Sequence, residues 1–116
     1  ALGCAQLENL DRYVADKRET AACYAEFFKG KEDITFFTEP ADCKSNYWLN
    51  AVVLKDKAAQ LDFLEYTNDH GVMTRPVWEL MNRLPMFEHC ETDGLENTEW
   101  LADRVVNIPS SVRLDK

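Results

Sequence analysis

The chain has 116 residues, of which 46% are hydrophobic and 29% charged, a balance that fits one folded domain with its own core. Its 21 acidic and 13 basic residues leave a formal net charge of −8, which argues against a nucleic-acid backbone or an anionic membrane as a general partner but leaves room for a local basic pocket. No apolar run approaches the roughly 20 residues of a membrane span, and the opening ALGCAQLENLDRYV lacks the basic segment and apolar block of a signal peptide.

The first element is a long helix over residues 1–30. Leu7, Leu10, Val14, Ala21, Tyr24 and Phe28 form one apolar stripe, interrupted only at Lys17. Glu8, Asp11, Arg12, Glu19 and Lys29 take the polar side, and Gly30 is the C-terminal stop. No capping residue precedes Leu2. The helix therefore reads as already under way at Ala1, as in a piece of a longer protein; a frayed terminus is the alternative.

The run DITFFTEP reads as a short edge strand ended by Pro40. After the loop ADCKS, NYWLNAVVL is the strongest strand, rich in aromatic and β-branched residues. Trp48, Asn50, Val52 and Leu54 share one face, and Tyr47, Leu49, Ala51 and Val53 the other. Both faces are largely apolar, which predicts a central strand covered on both sides. Asn50 is the polar exception; it either satisfies a backbone group or faces a cleft.

KDKAAQLDFLEYTNDHG predicts a second helix, capped by Asp56, carrying Leu61, Phe63, Leu64 and Tyr66 on its apolar side, and ended by Gly71. VMTRPV reads as a strand of five or six residues. Between Trp78 and Gly94 no element is predicted; Pro85 and EHCETDG mark a loop. Asn97 or Thr98 caps a short helix through EWLADR, and VVNIP is a last strand stopped by Pro109. The order predicts an α+β fold: helices on one face of a small, mainly antiparallel sheet, preceded by the long first helix.

Catalytic signatures are sparse. Gly3, Gly30, Gly71 and Gly94 are scattered and make no phosphate loop, and neither a Gly-x-Ser-x-Gly nor a His-Glu-x-x-His motif occurs. Cys4, Cys23, Cys43 and Cys90 match no zinc or redox spacing and read as free thiols in a reducing cytoplasm; His70 and His89 have no neighbours at ligand spacing, so no metal is expected. Glu65 and Asp69, and Lys55 and Lys57, read as solvated charges. Arg75 needs more explanation. It stands before Pro76, whose ring stiffens the chain, and near Trp78. A guanidinium suits forked recognition of carboxylate or phosphate, and an indole offers a flat apolar surface with one donor. The plain alternative is a surface arginine paired with one of the many acids.

Three segments together resemble one family. ALGCAQLENLDRYVADKRETAACYAEFF resembles the long helix joining the large and small domains of DegT/StrS pyridoxal-phosphate-dependent sugar aminotransferases. GVMTRPVWELMNRLPMF resembles the small-domain segment that follows it, and NTEWLADRVVNIPSSV the closing helix and strand. The wording of NYWLNA, TRPVW and VNIPSS is most similar to a branch acting on nucleotide-linked 4-keto-6-deoxy-sugars in surface-glycan pathways. The resemblance implies transfer of an amino group, usually from glutamate, through pyridoxal phosphate to the C4 ketone of a nucleotide sugar, in a cytoplasmic homodimer. It implies that the catalytic lysine and the Asp beside the pyridine nitrogen lie in a large domain outside this chain. No lysine here takes that role, and residues 31–116 form the small domain. The fragment alone is then expected neither to hold the cofactor nor to transaminate. Arg75, Trp78 and Asn82 are implied to face the substrate. Many relatives have a histidine where Asn82 stands; an asparagine keeps a donor and an acceptor but cannot titrate near neutral pH. Two other readings stay open: a ligand-binding or regulatory module with the same fold, and a dimerisation domain using the first helix as its seam.

Overall fold

The computed structural model describes residues 2–113. Helices α1 (Leu2–Leu7) and α2 (Leu10–Phe28) lead into strands β1 (Ile34–Phe36) and β2 (Asn50–Leu54). Helix α3 (Lys57–Asp69), strand β3 (Arg75–Pro76), a 3-10 turn over Met81–Arg83, helix α4 (Glu96–Ala102) and strand β4 (Val105–Ile108) follow. The strands form one antiparallel sheet in the order β1-β2-β4-β3. The predicted α+β architecture therefore forms.

Register and burial agree along the sheet. Phe36 pairs with Val52, and Val52 with Val106. These residues, with Leu54 and Ile108, are buried against Ala21, Tyr24 and Phe28 of α2 and Ala59, Phe63 and Leu64 of α3. Both helices thus lie on one face. The period of two sends Thr35, Ala51, Val53, Val105, Asn107 and Arg75 to the other face, where they are half-buried or exposed. Strand β2 is central, as expected, but only one of its faces is fully covered.

Several elements differ from their predicted form for local reasons. The first helix breaks between α1 and α2. Asn9 has φ −104° and ψ 2°, its amide bonds Gln6 O, and its side chain donates back to Ala5 O at 3.1 Å. A short amide side chain competing for backbone carbonyls favours such a break. Only the later part of the apolar stripe is used: Ala21 is buried, whereas Leu7 and Leu10 are exposed. Strand β2 starts at Asn50, not Asn46. Ser45 Oγ and Asn46 Oδ1 accept from the amides two residues on, and Tyr47 is left-handed at φ 46°, so the chain turns there. The VMTRPV strand shrinks to two residues because Pro76 cannot extend the ladder as a donor. The 3-10 turn falls within a stretch read as structureless. Helix α4 begins before either predicted cap: Leu95 stands at the cap position in a left-handed conformation, and Asn97 and Thr98 lie inside the helix.

Asp56 does cap α3, its Oδ1 accepting from Ala59 N at 2.8 Å, and Gly71 takes the expected left-handed conformation at φ 77°. Asn50 follows neither reading. Its side chain is buried on the helix-facing side and finds no protein partner among the described residues, while its backbone amide donates to Ser110 Oγ at 2.7 Å. All four cysteines are exposed free thiols. Among the described residues no helix is long and apolar enough to cross a membrane.

One polar side chain joins the helix layer to the end of the sheet. Gln60 of α3 has no exposed surface. Its Nε2 donates to Ala102 O at 2.9 Å and Val105 O at 2.8 Å, and its Oε1 accepts from Lys57 Nζ at 2.8 Å. It thereby satisfies carbonyls at the α4–β4 junction. Replacing Gln60 with Ala leaves these carbonyls buried without a donor and is expected to cost about 2–4 kcal/mol of unfolding free energy in a urea titration. A cost below about 1 kcal/mol, the scale of an ordinary net hydrogen bond, would show that the junction is held by other contacts.

Candidate functional site

Strand β3 is short, and its position is fixed from the preceding helix. Thr74 is buried, its Oγ1 lying 2.6 Å from Thr67 Oγ1 and accepting from Asn68 Nδ2 at 3.0 Å. Asn68 Nδ2 also donates to Thr74 O at 3.1 Å, and Thr74 N donates to Asn68 Oδ1 at 3.4 Å. This clamp delivers the chain to the sheet edge, where Arg75 pairs with Asn107 and Pro76 with Val106. Ala51 pairs with Asn107 in turn, and Phe37 N donates to Ala51 O, so Phe37, Ala51, Asn107 and Arg75 run in a row across the helix-free face.

Beside this row lies a cavity of about 580 Å³, lined by Leu49, Met73, Arg75, Trp78, Asn107 and Ile108 together with Pro76 and Val77. Trp78 is 72% exposed and Met73 66% exposed. Arg75 was open to pairing with a surface acid, but among the described residues it has no carboxylate partner; its guanidinium meets only Met73 Sδ at 3.8 Å. Arg18, Arg83 and Arg113 all pair with carboxylates. Asn107 donates to Pro76 O at 3.4 Å, bracing the edge behind the arginine.

Arg75 and Trp78 are therefore brought together, and Asn82 is not with them. Asn82 sits on the 3-10 turn in a second cavity of about 620 Å³, with Met81, Phe87, Cys90 and Leu95 around it and Glu79, Glu91 and Asp93 among its polar lining. Sequence reasoning missed Met73 and Asn107. The signal for Asn107 was its phase: a polar residue between Val106 and Ile108 in an apolar strand must face away from the core.

Leu49 also lines a third cavity, of about 480 Å³, on the β1–β2 connection with Glu39, Cys43, Lys44 and Tyr47. This connection is tied to α2. Arg18 Nη2 and Nη1 reach the two oxygens of Glu39 at 2.6 and 3.0 Å, Arg18 Nη1 donates to Ser45 O at 2.6 Å, and Ser45 N donates to Glu39 Oε2 at 2.5 Å. Tyr47 OH accepts from Glu39 N at 3.2 Å.

Lys17 donates to Ser110 O and Trp48 O, and Lys29, Lys55 and Lys57 pair with Glu26, Asp33 and Asp103. Among the described residues no group of three His, Cys, Asp or Glu is placed to hold a metal.

The profile of the DegT/DnrJ/EryC1/StrS aminotransferase family matches residues 1–116. The chain belongs to this family. EpsN of Bacillus subtilis strain 168, provisionally named a pyridoxal phosphate-dependent aminotransferase, is 28% identical over 113 residues, covering 94% of this chain and 29% of EpsN. GDP-perosamine synthase of Vibrio cholerae is 26% identical over 113 residues, covering 95% of this chain and 30% of the synthase. Among solved structures, the aminotransferase TlmJ of Streptoalloteichus hindustanus superposes with a TM-score of 0.87 at 22% identity, over 98% of this chain and 30% of TlmJ. Helicobacter pylori PseC, an aminotransferase of pseudoaminic acid biosynthesis, superposes with a TM-score of 0.87 at 19% identity, over 98% of this chain and 32% of PseC. These superpositions show that the family member described here has the same fold. The chain spans about 30% of the length of the relatives it matches.

The clamp on the β1–β2 connection gives a pH dependence. The Arg18 guanidinium, helped by the Ser45 amide, lowers the Glu39 carboxyl from an ordinary 4.5 to about 2. A lowered carboxyl contributes its stabilisation above the unfolded value and loses it as pH falls through the folded one. The loss therefore falls between about 4.5 and about 2. The Ser45 amide proton shift is expected to titrate with a midpoint near 2, and Glu39→Gln to abolish the titration. A midpoint at the ordinary 4.5 would contradict the clamp.

Proposed function

We propose that this chain is the C-terminal small domain of a pyridoxal-phosphate-dependent sugar aminotransferase, which moves an amino group from glutamate or a similar donor to the C4 ketone of a nucleotide-linked sugar for surface-glycan biosynthesis. The observation that carries the reading is the family match over residues 1–116. The relatives' names support a nucleotide-sugar substrate, since one is a GDP-perosamine synthase. Pyridoxal phosphate supplies the electron sink of such a transfer. In this reading the cofactor and its lysine belong to a large domain carried elsewhere in the protein, which the 29–30% coverage of the relatives supports. In this reading α1 and α2 form the connecting helix, residues 31–116 form the small domain, and the working protein is a homodimer.

The domain's own contribution is a wall of the substrate cleft. Its helix-free sheet face carries an arginine with no carboxylate partner among the described residues and an exposed indole beside a cavity, and in this reading they face the substrate. Asn82, in the separate cavity on the 3-10 turn, faces the substrate in the same reading. It orients by hydrogen bonds and takes no proton near neutral pH.

The test compares two proteins. The full-length protein, given glutamate and a nucleotide-linked 4-keto-6-deoxy-sugar, is expected to release 2-oxoglutarate and the amino sugar. The 116-residue chain mixed with pyridoxal phosphate is expected to show no absorbance of a lysine-bound cofactor. Such absorbance from the chain alone, or no 2-oxoglutarate from the full-length protein with any such sugar, would defeat the assignment.

A further inference from the structure

The contact between α2 and the start of β2 encloses polar atoms that the described residues leave unsatisfied. Asn50 is 1% exposed, yet its Oδ1 and its Nδ2 both lack a hydrogen-bond partner among those residues, as does the buried Oγ1 of Thr20. We infer that this contact holds internal water, bound between the Asn50 amide and the Thr20 hydroxyl.

The two side chains belong to one layer. Asn50 opens β2, two residues after Trp48 and two before Val52, and it pairs with Ile108 of β4. One turn of α2 covers this stretch. At one end of the turn Lys17 Nζ donates to Trp48 O at 3.4 Å and to Ser110 O at 2.5 Å. At the other end Ala21 is buried with Val52 and Ile108. Thr20 lies between Lys17 and Ala21, and its hydroxyl is turned inward. A threonine inside a helix can give its hydroxyl to a carbonyl one turn back. Thr67 of α3 does so, reaching Phe63 O at 2.7 Å. Thr20 does not, so a group that can both donate and accept is left for the interface.

Water is the occupant that fits. The three orphan atoms include donor and acceptor, and an internal water makes about three hydrogen bonds. A bare buried amide would lose the whole of its hydration on folding. A group from outside does not reach a side chain that is only 1% exposed. Solvent also lies one wall away. A cavity of about 260 Å³, lined by Lys17, Trp48, Leu49, Ile108, Ser110 and Ser111, borders the same strand ends, and Ser110 Oγ in its wall accepts from Asn50 N at 2.7 Å. The segment after β4 closes the site against exchange: Tyr24 OH donates to Pro109 O at 3.1 Å, and Arg113 N to Asp16 Oδ2 at 2.9 Å. The water is thereby enclosed between helix and sheet.

The test is a crystal structure of the full-length protein at a resolution that shows ordered water, together with the variants Thr20→Val and Asn50→Leu. The unaltered protein is expected to show water within hydrogen-bond distance, about 2.7–3.2 Å, of an Asn50 side-chain atom and of Thr20 Oγ1. Thr20→Val keeps the shape and removes one partner, so the water is expected to shift away from residue 20 or to be lost. Asn50→Leu fills the space with methyl groups and is expected to expel it, with the pairing of β2 and β4 kept. An Asn50 amide satisfied by protein groups alone, an empty space between the two side chains, water touching only one of them, or the same water in both variants would overturn the inference. Should Asn50→Leu fail to fold, the unaltered protein and Thr20→Val decide. The outcome is the same whether or not the protein transaminates.

Discussion

The antiparallel pairing of β2 with β4 is the constraint from which the rest of the structure follows. It sets Asn50 against Ile108 and Val53 against Val105, joining the middle of the chain to its end. Val52 and Val106 have no exposed surface and face α2 and α3. Once those two valines are committed to the core, the period of two places Ala51, Val53, Val105 and Asn107 on the opposite face. Strand β3 then joins β4 in register, and Arg75 arrives beside Asn107 on the side without helices. The apolar core thus decides where the arginine goes. A one-residue slip between β2 and β4 would turn Val106 outward and Asn107 into the core.

Polar side chains fix what the apolar pattern leaves loose. Gln60 takes two carbonyls where α4 gives way to β4, Asn68 and Thr67 secure Thr74 at the entrance to β3, and Arg18 with Glu39 folds the β1–β2 connection against α2. Each stands where backbone groups leave regular secondary structure and need partners. Two of these devices border cavities, so the rigidity of the fold and the shape of those cavities have the same origin.

Alternation and turn residues made the architecture legible. NAVVL and VVNI carry the period of two, Asp56 and Gly71 bound α3, and Gly30 marks the end of the first helix. What escaped depended on side chains reaching across the chain. Asn9 bonding Ala5 O breaks a stripe that hydrophobic spacing alone reads as continuous. Tyr47 at positive φ delays a strand whose composition promises an earlier start. Leu95 replaces a polar cap because α4 starts from a left-handed residue. The site was half legible. The Arg-Pro-x-Trp order flagged Arg75 and Trp78, the phase of β4 carried a signal for Asn107, and Met73 joins them only in the folded cavity. Asn82, adjacent in the motif, turns into a different cavity because Met81–Arg83 coils into a 3-10 turn.

The central claim is that the helix-free face of the sheet is the working face of the proposed enzyme. The most direct measurement is a crystal structure of the full-length protein with a bound nucleotide-linked sugar. The account predicts the ligand in contact with Arg75 and Trp78. A nucleotide sugar bound away from β3, with Arg75 paired to a carboxylate of the protein, would contradict it.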